Sequence, residues 1–117
     1  MVRLLLSEKD YVEFLVGRDG DFDILAASVI KRCQVSVYSD NSALIWVMPY
    51  PTAEYRDNQS AYDSYYDEIE ICQASAMGHF KAAHQIRNRT MIDRSDLVVV
   101  CIEHTSGRAY QTLKYAE

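Results

Sequence analysis

Residues 12–33, VEFLVGRDGDFDILAASVIKRC, decide the fold because the spacing of their apolar residues changes within the stretch. Residues 12–16 are rich in β-forming side chains, and the run stops at the turn composition GRDG at 17–20. Beyond the turn the apolar residues recur at helical spacing, which predicts an amphipathic helix over 21–33 with an aspartate near its N-terminus. The stretch is therefore a strand, a glycine loop and a helix, a unit typical of α/β sheets.

The rest of the chain repeats this alternation. Residues 43–48 form an apolar run closed by a Pro-Tyr-Pro sequence, and residues 97–102 form a near-continuous apolar run, typical of a strand covered on both faces. Residues 68–71 alternate like a short edge strand. Further helices are predicted over 79–93 and 107–116. We therefore predict an α/β fold with a mainly parallel sheet.

The composition indicates one soluble domain. The chain has 117 residues, of which 49% are hydrophobic and 25% charged. Its longest apolar runs are much shorter than the roughly 20 residues that span a bilayer, and no signal-peptide pattern follows Met1. We expect a single domain over 1–117, a cytoplasmic location and no membrane partner. Cys33, Cys72 and Cys101 are far apart and lie in apolar surroundings, so we expect buried thiols.

Charge is distributed unevenly along the chain. Residues 54–70 carry six acidic residues against one basic residue. The Tyr-rich stretch from Thr52 to about Tyr66 is predicted to run over the surface with a helical turn. Residues 77–94 carry four basic residues against one acidic residue. The net charge of −5 argues against nonspecific nucleic-acid binding.

Two glycine loops follow predicted strands, at 17–20 and 105–108, where α/β sheets bind ligands and helix N-termini present main-chain donors. Neither loop matches a P-loop or a full GxGxxG motif. The basic stretch 87–96, RNRTMIDRSD, precedes the last predicted strand and suits a phosphate, although a solvated helix face would have the same composition. His79, His84 and His104 lack metal-ligand spacing, and no catalytic triad is evident, so we expect neither a metal nor a cofactor.

Five segments taken in order resemble the small bacterial YpsA-like branch of the SLOG superfamily, named for the Smf and Lonely-guy proteins. The resemblance covers about residues 12–117, and its most specific part is RNRTMIDRSDL followed by a strand and GRAYQTLKYA. The segments are VGRDGDFDILAASVI (16–30), ALIWVMPYP (43–51), YYDEIEI (65–71), HFKAAHQIRNRTMIDRSDLVVV (79–100) and SGRAYQTLKYA (106–116).

This resemblance implies a Rossmann-like three-layer sandwich that binds a nucleotide-derived molecule between the two glycine loops. Lonely-guy members hydrolyse the N-glycosidic bond of nucleoside monophosphates with an arginine and a glutamate near the second loop. Carried onto this chain, the resemblance and the loops give the candidate ligand-binding residues Gly17, Arg18, Gly20, Asp23, Arg87, Arg89, Asp96, Ser106, Gly107, Arg108 and Thr112.

The sequence departs from the family pattern in three ways. Arg18 and Arg108 stand where the family has a second glycine, and no carboxylate occupies the glutamate position near Leu113. The domain is also truncated relative to the family at both termini, because the family has a strand and a helix before residue 12 and a strand after residue 117. We expect either residues 2–6 or a second copy of the chain to fill the place of the first strand, and we therefore expect a homo-oligomer.

These observations favour a module that senses or sequesters a phosphate-bearing, nucleotide-derived small molecule, with Arg87 lining a wet pocket. One alternative is a phosphoribohydrolase-type enzyme in which Asp23, Asp96 or Glu103 replaces the absent glutamate. Another is a structural or partner-binding domain that uses the Tyr-rich residues 50–66 as its contact surface.

Overall fold

The computed structural model describes residues 1–9, 11–37, 40–99 and 108–117, without the side chains of residues 37 and 108–110. The chain comprises two compact units. The first unit is Met1–Val47 with Ala53–Glu70, and the second is Met48–Thr52 with Ile71–Glu117.

A three-stranded parallel sheet organises the first unit, in the order β1 (Val12–Val16), β2 (Ser42–Met48) and β3 (Glu68–Ile71). β1 and β2 pair in parallel register from Val12 opposite Ser42 to Val16 opposite Trp46. The Asp67 N–H donates to Leu44 O and the Cys72 N–H donates to Met48 O, which fixes the direction of β3. The predicted α/β class, the strands at 12–16 and 43–48 and the short edge strand at 68–71 are thus confirmed.

β2 forms the core because it is apolar at every position from Ala43 to Met48. These six residues are at most 5% exposed, and Leu44 and Ile45 are fully buried. A strand that lies between two others and is covered on both faces needs no polar face, which explains its continuous apolar sequence.

Helices precede and follow β1. α1 (Val2–Glu8) buries Leu6, and Asn41 Nδ2 donates to the carbonyls of Leu6 and Lys9 at its end. Residues 2–6 are therefore helical and do not take the place of a strand, because a run this short is helical or extended according to its contacts. α2 (Asp21–Val37) confirms the predicted helix at 21–33 and extends four residues beyond it.

The Tyr-rich segment contains two short helices, α3 (Ala53–Asp57) and α4 (Gln59–Tyr65), rather than a single helical turn. Tyr66 follows α4 and is only 3% exposed. The segment is therefore not simply an excursion over the surface, because its aromatic side chains pack inward.

The second unit is helical, with α5 (Gln73–Ala76), a 3₁₀ turn at Phe80–Ala82, α6 (Ala83–Arg94) and α7 (Arg108–Ala116). The helix predicted over 79–93 thus begins as a 3₁₀ turn, where His79 Nδ1 accepts the Lys81 N–H. α7 confirms the last predicted helix from residue 108 onward.

The predicted strand at 97–102 is wrong for its first three residues. Leu97, Val98 and Val99 lie outside any helix or strand and are 56%, 37% and 56% exposed. β-forming composition makes a strand only where a partner edge supplies ladder hydrogen bonds. Residues 100–102 lie outside the described residues.

Within the described ranges, none of the helices is long and apolar enough to cross a membrane.

Candidate functional site

The loop after β1 holds Arg18 at the carboxyl end of the sheet, where α/β folds bind ligands. Arg18 Nη1 donates to the Tyr66 hydroxyl at 3.1 Å, and Nε lies 3.3 Å from Glu54 Oε1. The guanidinium carbon stands 4.8 Å from the centre of the Tyr62 ring. The side chain is 19% exposed, so Arg18 is held on three sides by side chains of the first unit.

These contacts shift two pKa values. Burial lowers the pKa of Arg18, but the hydrogen bond to Tyr66 and the nearby phenols and Glu54 raise it more, and the net shift is upward. Burial raises the pKa of Tyr66 against the opposing effect of Arg18. Arg18 therefore stays charged and Tyr66 stays neutral at physiological pH.

An aromatic cluster supports the arginine. The Trp46 ring packs edge-on to Tyr55 and Tyr62 at 5.9 and 5.2 Å, and it lies 5.3 Å from Tyr66 at a tilt. Tyr55 donates its hydroxyl to Asp63 at 2.7 Å. The predicted surface excursion misses this packing. Tyr55 lies on α3, Tyr62 lies on α4 and Tyr66 follows α4, so periodicity within one helix does not reveal the cluster.

The start of α2 is acidic, and one of its carboxylates is already engaged. Asp23 Oδ2 accepts the Asp19 N–H at 3.0 Å. The expectation that loop 17–20 offers unpaired main-chain donors is therefore wrong at Asp19, because a carboxylate three or four residues on satisfies the same group that an anion would use. Gly17 is buried, whereas a Cβ added at Gly20 would meet no atom within 4 Å.

Arg87 is 1% exposed, so the expectation that it lines a wet pocket is wrong. Its Nε donates to Asn88 Oδ1 at 2.9 Å, and Asn88 Nδ2 donates to Thr112 Oγ1 at 3.2 Å. A charged residue on a polar helix can still face inward when neighbouring side chains take up its donors.

The other predicted residues of the second unit lie nearer the surface. Arg89 is exposed, with its guanidinium carbon 5.4 Å from the centre of the Tyr115 ring, and Tyr115 donates to Asp93 at 2.8 Å. Asp96 is exposed after the end of α6. The predicted residues Ser106 and Gly107 and the alternative acid Glu103 lie outside the described residues, as does the side chain of Arg108.

The thiols differ in their environments. Cys72 is 7% exposed, as expected, whereas Cys33 is only half-buried and Cys101 lies outside the described residues. Burial raises the pKa of Cys72, but hydrogen bonds from Ser75, Thr90 and Ala74 lower it more, and the net shift is downward. Among the described residues, no group of three or more His, Cys, Asp or Glu side chains is placed to hold a metal ion.

Comparison with known proteins gives no match among family models, curated proteins or solved structures. The resemblance to the SLOG superfamily stays a prediction that depends on the quoted motifs.

Proposed function

We propose that this chain binds a phosphate-bearing, nucleotide-derived small molecule at the loop after β1 and senses or sequesters it. The observation that carries the proposal is the fixed guanidinium of Arg18 at the carboxyl end of a parallel sheet. A guanidinium presents planar donors that match phosphate oxygens, and a site that is already ordered loses less entropy on binding.

The contacts of Arg18 support a role beyond packing. Nη1 donates to Tyr66, whereas Nε is buried 3.3 Å from Glu54 Oε1 and makes no hydrogen bond. Within the described part of the chain these contacts leave Nη2 to an incoming oxygen. The space above Gly20 gives a ligand access to the same loop. Because Asp23 already satisfies the Asp19 N–H, we assign the phosphate to Arg18 rather than to the loop amides.

The partner-binding alternative has less support. Trp46 and Tyr66 are 2% and 3% exposed. Trp46 packs against Tyr55 and Tyr62, and the Tyr66 ring lies 6.4 Å from the Tyr62 ring. Aromatic residues that form a core have little surface left for a protein partner.

The test is a binding titration of the purified chain with AMP, ADP, ADP-ribose, NAD and inorganic phosphate, read by calorimetry and thermal shift. A ligand at 100 times its Kd stabilises the fold by about 2.7 kcal/mol. Arg18→Ala should weaken binding of that ligand by about 1.5–3 kcal/mol, as expected for a charge-assisted hydrogen bond. Gly20→Val should weaken it by filling the open space while leaving the phosphate contact in place.

Arg3→Ala is the matched control, because Arg3 is an exposed cation on a different element, α1. If Arg3→Ala weakened binding as much as Arg18→Ala does, the loss would come from the overall charge of the protein. That result would contradict the proposed site. Absence of binding by every member of the panel would contradict the function. Release of a free base from AMP would favour the phosphoribohydrolase alternative.

A further inference from the structure

One face of α2 is exposed along most of its length. Five residues spaced four, three, four and three apart line one stripe of the helix. We call it the α2 stripe, and it consists of Asp21, Leu25, Ser28, Arg32 and Val35. Leu25 is 58% exposed and Val35 is 70% exposed, whereas Ala27 and Ile30 on the opposite face are buried. Alternating steps of three and four are the pattern by which two helices pack along a common seam.

The surface around the second half of the stripe has a shallow, open depression. A groove of about 360 Å³ is lined by Lys31, Arg32, Val35 and Ser36. Val35 therefore lies beside an open depression whose rim carries two cations.

The stripe is also polarised in charge. Its first turn carries Asp21, and its second half carries Arg32. When two copies of such a helix pack antiparallel about a two-fold axis, the acidic end of each meets the basic end of the other. With the axis between residues 26 and 27, Asp21 of one copy lies at the level of Arg32 of the second copy, and Leu25 lies at the level of Ser28.

We propose that the α2 stripe is a self-association surface on which a second copy of this chain packs its own α2 antiparallel. The two Asp21–Arg32 pairs set the register, Leu25 supplies apolar contact near the axis, and the small Ser28 lets the helices approach there. The charge complementarity of the stripe with itself is what selects a second copy rather than another partner. This inference does not depend on the proposed ligand.

The test is a charge swap followed by mixing, read by sedimentation velocity at tens of micromolar. Wild-type chain should dimerise. Arg32→Asp and Asp21→Arg alone should each weaken dimerisation at least about tenfold, because every pair becomes a like-charge pair. An equimolar mixture of the two variants should dimerise again, because both pairs then join opposite charges. Circular dichroism verifies that each variant is folded.

Arg3→Glu is the control, since it reverses an exposed cation on α1 outside the stripe. It should leave the dimer unchanged. A monomeric wild-type chain would overturn the proposal, and so would a dimer that both single variants retain. Loss of dimerisation in the single variants without recovery in the mixture would overturn the antiparallel pairing.

Discussion

Arg87 was a candidate ligand-binding residue, but its burial indicates a structural role. It is 1% exposed, and its Nε donates to Asn88. Arg87→Ala should lower the free energy of unfolding by about 2–4 kcal/mol, because it removes a large buried side chain and strands its polar partners. Arg89 lies two residues further along α6 but is exposed over the Tyr115 ring, so Arg89→Ala should lower the free energy of unfolding by about 0.5–1 kcal/mol. Urea unfolding of both variants measures the difference, and equal small losses would show that Arg87 is not structural.

Arg18 and Arg87 show what the sequence can and cannot reveal about a candidate site. Arg18 could be selected from the sequence because it interrupts a glycine loop that follows a strand. The burial of Arg87 could not, because a helix with arginines at 87, 89 and 94 has the composition of a solvated face. The partners of Arg18 could not be predicted either, because Glu54 and Tyr66 are distant in sequence and contact the loop only through tertiary packing.

At the scale of elements, the turn after α5 depends on glycine for space. A Cβ at Gly78 would lie 3.0 Å from Ile86 Cδ1 and 3.2 Å from the Ala74 carbonyl oxygen, which is main chain and yields little. Gly78→Ala should therefore destabilise by about 1–2 kcal/mol through overpacking. Gly20→Ala is the matched control, because a Cβ at Gly20 would meet open space. The preference for glycine before a helix and the lower entropy of an unfolded chain with alanine oppose each other, so the free energy of unfolding should change by less than about 0.5 kcal/mol. Similar thermal shifts in the two variants would contradict this reading of the turn.

β1, β2 and α2 could be predicted from their apolar patterns, whereas α3 and α4 could not. β1 and β2 follow from β-rich runs that end at glycine or proline, and α2 follows from apolar residues at helical spacing. α3 and α4 lie in a polar, acidic stretch where the only apolar signal is aromatic. Their helices depend on the packing of Trp46 against the tyrosines, and single-sequence periodicity does not contain that information.

At the scale of the whole molecule, two apolar runs of similar composition have opposite environments. Residues 43–48 are buried in a paired central strand, whereas Leu97, Val98 and Val99 are exposed and unpaired in the described part of the chain. Amide hydrogen exchange separates these cases, because a ladder amide in the core exchanges only when the unit unfolds and an exposed loop amide needs no such opening. The amides of Leu44 and Ile45 should therefore exchange at least about a thousandfold more slowly than those of Val98 and Val99. Comparable protection at both runs would contradict the exposure of Val98 and Val99. It would mean that this run pairs with a strand in solution, as its composition alone predicts.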